Sequence, residues 1–175
     1  MDRLFREWTK EDLPSVRTVT WLTWLEAYSK FIPVEDLRAY YDEHYTLQAL
    51  EQLFRNPSVK GFVAVVDGSV AGYLKTMTDV SEKRFYISSV YVLPDHQGSG
   101  IGGRLMTMAI DEARARGVDE VWLGVMTQNL PALEWYRRNG FTFVEERPFT
   151  MGRTTVPHLI GYKNIAPISP GSKPP

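Results

Sequence analysis

The segment Val90 to Leu105 reads Val-Tyr-Val-Leu-Pro-Asp-His-Gln-Gly-Ser-Gly-Ile-Gly-Gly-Arg-Leu, with four glycines (Gly98, Gly100, Gly102, Gly103) in six positions. An apolar run ends there and a helical pattern begins. Glycines at such a junction let backbone N–H groups approach a ligand with no Cβ in the way. The first turn of the helix adds unpaired donors and the positive end of its dipole. The chemistry implied is the binding of a phosphate-bearing ligand. Glycine costs about 0.5–1 kcal/mol inside a helix, so Gly102 and Gly103 at its start call for a reason beyond a turn. Arg104 is a further cation beside the loop, or a solvated one.

Two common phosphate folds fit poorly. No Lys followed by Ser or Thr comes after the glycines, which excludes a Walker-type loop. Gly98, Gly100 and Gly103 do spell G-x-G-x-x-G, the dinucleotide fingerprint. In that fold an acid closes the second strand, whereas Asp119 and Glu120 precede the next strand here. Too little chain follows to build a second half.

The elements that must position this loop follow from periodicity and punctuation. Arg3 to Trp8 reads as a strand. Asp12 opens a helix to about Tyr28, with Trp21, Leu22, Trp24, Leu25 and Tyr28 as its apolar stripe. Pro33 suits the first turn of a second helix, Val34 to His44. Thr46 caps a third, Leu47 to Phe54, which Asn56-Pro57 ends. Gly61 to Val66 and Val70 to Thr78 are strands joined by Asp67-Gly68, a hairpin signal. Phe85 to Leu93 is apolar on both faces and therefore central. The glycine loop leads into a helix to Arg116, stopped by Gly117. A strand, Val121 to Val125, precedes a helix from Pro131 to Asn139. Phe141 to Val144 and Leu159 to Lys163 close the sheet. The order predicts one mixed α/β domain over 1–165, followed by a Pro/Ser/Gly-rich, disordered tail over 166–175.

Composition narrows the partners. Of 175 residues, 43% are hydrophobic and 23% charged, with a net charge of −1. Neither the balance nor any like-charge run points to nucleic acid. The absence of cysteine removes disulfides, thiolate metal sites and a cysteine nucleophile, and fits a reducing cytoplasm. No stretch approaches the roughly 20 apolar residues of a membrane span. His44, His96 and His158 stand apart from one another, with no metal-site spacing.

These residues resemble the GNAT superfamily of N-acetyltransferases. Gln97-Gly98-Ser99-Gly100-Ile101-Gly102 matches its cofactor signature (Gln or Arg, two residues, Gly, one residue, Gly or Ala). Downstream, Asn129, Ala132, Tyr136, Gly140 and Phe141 match N-x-x-A-x-x-x-Y-x-x-x-G-F. The resemblance covers about Gly61 to Tyr162. It implies a mixed central sheet flanked by helices, with a splayed cofactor cleft, and acetyl-CoA as co-substrate. Gln97 to Gly102 would hold the pyrophosphate, Val90, Tyr91 and Val92 would meet the pantetheine, and Asn129 would meet its arm. Tyr136 would protonate the leaving thiolate.

Many members carry a Glu on the central strand as base. Phe85 to Leu93 has no acid, so Ser88, ordering a water, is the candidate. Glu26, Asp36 and Glu43 are surface acids, or attract a cationic acceptor. Ala71 to Lys75 and Phe149 to Gly152 are similar to polyamine and diamine acetyltransferases, although His158 stands where several of those have an acid. The acceptor expected is a small amine or polyamine rather than a protein N-terminus, and a homodimer is common in such enzymes. An inactive acetyl-CoA-binding sensor is the alternative, against which Tyr136 argues.

Overall fold

Asp67 and Gly68 both adopt positive φ (47° and 82°). That is the geometry a two-residue turn needs to join right-twisted strands. The turn starts the sheet on which everything else rests. In the computed structural model, which describes residues 1–167, β2 (Val59–Val66) and β3 (Ser69–Asp79) flank it. β1 (Arg3–Glu7) adds to β2, and β4 (Arg84–Val92) to β3. β5 (Glu120–Met126), β6 (Thr142–Met151) and β7 (Thr154–Asn164) complete seven strands in the order β1-β2-β3-β4-β5-β7-β6. Only β4 and β5 run parallel. The predicted single α/β fold is what is observed. The tail assignment for residues 168–175 lies outside the described residues.

Both faces of the sheet are covered. On one, Phe62, Leu74, Phe85, Ile87 and Leu123 pack against α4 (Ile101–Ala115) and α5 (Leu130–Arg138). On the other, Val63, Tyr73, Met126 and Met151 pack against α1 (Leu13–Tyr28), α2 (Val34–His44) and α3 (Leu47–Arg55). Thr46 caps α3 as its sequence suggests, accepting from the Ala49 N–H at 3.0 Å. A bulge lies between the two faces of β4. Lys75 and Thr76 of β3 oppose Ser89 and Ile87, leaving Ser88 over. Phe85 and Ile87 therefore share a face with Val90 and Val92 rather than with Ser89 and Tyr91, as one extra residue requires.

Three expectations need correction. The α1 stripe is only part of the buried face: Trp21, Trp24 and Tyr28 pack on the core, Leu22 is 44% exposed, and Leu13, Val16, Val19, Thr20 and Thr23 complete the buried set. The small threonines let the helix approach Tyr73, whose hydroxyl lies 2.8 Å from Thr20 Oγ1. Trp21 sits at the helix flank under the Arg38 guanidinium, 3.7 Å from its ring. The last two strands are longer than predicted. The β6 extension carries three consecutive charged residues, Glu145, Glu146 and Arg147, and then an opposed Pro148–Pro157 pair, a pairing tolerated because β6 is an edge and β5 ends at Met126. Asp36 is not a surface acid. It is 6% exposed and accepts from the Arg153 N–H (3.0 Å) and Thr154 Oγ1 (2.6 Å), closing the β6–β7 turn. Those bonds hold its carboxyl below the usual range.

Gly61 lies under the Trp8 indole, and a Cβ there would overlap the ring. Gly61→Ala should destabilise the fold by about 1–3 kcal/mol, the usual cost of overpacking, without touching the cleft described next. Urea unfolding should show a lower midpoint with an unchanged slope.

Candidate active site

β4 and β5 pair at only two positions, Phe85–Val121 and Tyr86–Trp122. Both strands continue, to Val92 and Met126, but apart. The Leu93 N–H donates to Ala71 O at 2.8 Å, so Leu93 turns its N–H toward β3. Strand alternation then turns the N–H and C=O of Val92 and Val90 toward the gap. Gln97 Nε2 donates to Val92 O from that side at 3.0 Å. Tyr91 faces elsewhere. Its backbone lies opposite Tyr73 on β3, and its ring packs with Trp24 and Tyr73 on the α1 side. The lower end of the two strands is clamped. Arg84 lies 3.6 Å over the Trp122 ring and reaches Glu145 on β6 at 2.6 Å. Arg147 holds Glu82 and Glu145 at 2.8 and 2.6 Å.

The glycine loop closes the top of the gap. The N–H groups of Gly98, Ser99, Gly100, Ile101, Gly102 and Gly103 have no acceptor among the described residues. They converge at the start of a 15-residue helix. Gly98 and Gly100 have φ of 70° and 87°, and a Cβ on either would project into open space. Gly102 has a packing reason as well, because its Cβ would come within 3.3 Å of Trp135. Arg3 of β1 ties the loop down, donating to Ser99 O at 2.7 Å. Ser99 Oγ donates to His96 O, while Arg104 is exposed. This is an anion cradle built from backbone.

Tyr136 and Asn129 flank the gap on α5. The Asn129 side chain accepts from the Ala132 N–H at 3.4 Å and caps the helix. Tyr136, 9% exposed, is wedged edge-on between Trp135 and Phe141. Burial pushes its pKa up, and the Tyr28 hydroxyl nearby adds to the shift. Tyr28 belongs to the opposite face of the sheet. Burial holds Tyr28 at about 12.

On that opposite face lies a cavity of about 850 Å³, walled by aromatic rings including Trp24, Tyr28, Tyr40 and Phe149. Ser88 lines it, its hydroxyl donating to Lys75 O at 3.2 Å. Glu43 lines it too, whereas Glu26 is an exposed partner of Lys30. Two polar residues of this cavity, Lys75 and His158, received no part in the chemistry from the sequence. His158 is half-buried over Gly124, whose hydrogen is all the ring leaves room for. Burial and the Arg147 charge lower its pKa. No local motif marks either residue; only the β5–β7 register, Met126 opposite His158, brings the histidine to the gap.

The cradle has a measurable outcome. Gly100→Val forces a β-branched residue to positive φ, which costs about 1–2 kcal/mol. It also places a side chain where the loop is open. Calorimetric titration should show coenzyme A affinity at least about 10-fold weaker, the equivalent of one charge-assisted bond. An unchanged affinity in a folded variant would remove the loop from the phosphate site.

Residues 19–141 match the family model described as Acetyltransferase (GNAT) family. Streptothricin acetyltransferase of Streptomyces lavendulae is 45% identical over 83 residues, 47% of this chain and 44% of that enzyme. The match thus spans less than half of that relative's length. A crystal structure of nourseothricin acetyltransferase is 31% identical over 63% of this chain and 67% of that one, with a TM-score of 0.57. The PaiA N-acetyltransferase of Thermoplasma acidophilum, solved with coenzyme A, superposes with a TM-score of 0.82 over 94% of this chain and 99% of that one; at 21% identity it attests the fold. A split sheet with a backbone anion cradle at its mouth and a family match over most of the chain lead to one assignment: the chain belongs to the acetyltransferase (GNAT) family.

Proposed function

We propose that the chain moves an acetyl group from acetyl-CoA directly to the primary amine of a small acceptor held in the aromatic cavity. The carrying observation is the gap itself. It lies between the cradle on the α4 side and the cavity on the α1 side, whose lining takes Ser88 and Tyr91 from β4 and Gly124 and Met126 from β5. Donor and acceptor can then enter from opposite faces and react in the middle. No covalent enzyme intermediate is needed, and the chain has no cysteine to form a thioester.

In this reading Gln97, Gly98, Ser99, Gly100, Ile101 and Gly102 hold the pyrophosphate. Val90 and Val92 pair with the pantetheine through the backbone groups they turn to the gap. Asn129 fixes the start of α5 beside it. The Val92 N–H polarises the thioester carbonyl. The amine attacks, the C–S bond breaks, and Tyr136 gives its proton to the departing sulfur. Its raised pKa keeps that proton in place until the thiolate forms.

The acceptor must also lose a proton. Ser88 can orient the ammonium or a water, but an alcohol is a poor proton acceptor at neutral pH. His158, kept neutral by burial in the same cavity, is the better one. Of the expected small amines, polyamines fit least, because Lys75 puts a cation in the cavity. Streptothricin belongs in any substrate panel, since the enzyme that acetylates it is 45% identical over 83 residues.

Coenzyme A release from acetyl-CoA, measured against a panel of primary amines, tests the reading. Release with no amine at all would favour a binding module instead. Tyr136→Phe keeps the ring and removes the acid. Turnover should fall by about 10²–10⁴-fold with coenzyme A affinity retained, and wild-type turnover in that variant would leave Tyr136 as packing alone.

The pH profile reports on His158. The groups around it are Arg147 on β6, Glu43 and His44 on α2, and Lys75 on β3. With a pKa depressed from 6.5, His158 is neutral above that value and gains a proton as pH falls through its lowered pKa. Wild-type kcat/KM for an amine should therefore rise with pH and level off below pH 6.5. His158→Gln should instead keep climbing toward the pKa of the amine itself.

A further inference from the structure

Lys75 is 9% exposed and lies at the wall of the aromatic cavity. Its backbone carbonyl is bonded by Ser88. Its ammonium has no carboxylate partner among the described residues and lies 5.6 Å from the centre of the Tyr45 ring. An ammonium set in such a wall gains from an anion placed against it. The other lysine on this part of the sheet shows the contrast. Lys60, on β2, is held by Glu112 at 3.0 Å and Glu7 at 3.3 Å. The one carboxylate that lines the cavity, Glu43, makes its own close contact with His44 at 3.8 Å. The cavity therefore presents a cation with hydrogen-bonding capacity to spare, in a wall made mainly of aromatic and apolar side chains with a few polar ones.

We propose that Lys75 is the anchor for a carboxylate on the acceptor, so that the acceptor is an amino-acid-like molecule with a primary amine and an anionic group. This rests on the acetyltransferase reading above. The carboxylate would supply the partner the ammonium lacks, and its three donors suit such an oxygen pair. The amine would then be directed away from Lys75, toward the gap where Ser88 and His158 line the same cavity. Aromatic walls would take the side chain. A diamine or polyamine would place a second cation against Lys75, which the geometry opposes.

Paired substrates that differ only in the carboxylate test this in the wild-type protein: L-phenylalanine against phenethylamine, and L-leucine against 3-methylbutylamine. L-phenylalaninamide and putrescine complete the set, and coenzyme A release is the readout. The acid of each pair should be favoured in kcat/KM by about 10–100-fold, the worth of one or two bonds to a charged group in a buried site. Lys75→Met should erase that ratio, mainly through KM for the acid, with acetyl-CoA affinity unchanged. Lys75→Arg should keep part of it, which a purely structural lysine would not predict. Equal use of acid and amine by the wild type, or preference for putrescine, overturns the proposal and leaves the acetyltransferase reading standing. So does a folded Lys75→Met variant that keeps the wild-type ratio. Should that variant fail to fold, the wild-type comparison decides alone. If no member of the panel, streptothricin included, releases coenzyme A, both readings fall together.

Discussion

Two residue pairs hold the halves of this protein together as one sheet, and every functional feature depends on their being only two. Had the β4–β5 ladder continued past Tyr86–Trp122, the backbone groups of Val90 and Val92 would be consumed within the sheet. The aromatic cavity would also be sealed from the glycine loop. The parting of the strands has local causes. The extra residue at Ser88 kinks β4 as it leaves its neighbour. The Arg84, Glu145, Arg147 and Glu82 network pins the opposite end. Helices α4 and α5 pack on one face of both halves and keep the gap from collapsing.

An open strand edge inside a protein leaves polar groups unpaired, and these are normally satisfied. Here they are grouped: the strand groups on one side of the gap, and six loop N–H groups at its mouth. A long ligand with a polar arm and an anionic head is the type of molecule that answers both. The cavity on the other face is different in kind. It is made of aromatic side chains with a few charges among them, so its selectivity comes from side chains, while the donor side uses backbone. That difference explains why the donor site is shared across a family and the acceptor site need not be.

The same difference decides what the sequence revealed. Glycines needing positive φ, Gly98 and Gly100, are visible as a local pattern. So is Tyr136, at a fixed spacing from Asn129 and Gly140. The helices α2 and α3 and the β2–β3 turn carry their own caps and turn residues, and they lie within a residue or so of where the sequence placed them. Lys75, His158 and Gly124 come together only through strand register across three strands, which no short window records. The β6–β7 extensions were hidden for a related reason. Consecutive charges followed by a proline, Glu145 to Pro148, look like loop until a partner strand is known. Asp36 looked like a surface acid because its partners, at the β6–β7 turn, are over a hundred residues away in the chain. The α1 stripe was incomplete because aromatic rings outweigh threonine on any hydrophobic scale, while close packing against Tyr73 rewards the smaller residue.

The contact between Arg3 and Ser99 O links the first strand to the loop that would take the donor's phosphates, 96 positions later. β1 is an edge strand, paired on one side only, and edge strands fray most readily. Fraying and donor capture then become thermodynamically linked. Conditions that loosen the amino-terminal strand slacken the grip on the donor, and by reciprocity a bound donor quiets that strand. The amide protons of Arg3 to Glu7 thus become reporters of occupancy at a site they do not touch, slowing their exchange with solvent as the loop fills.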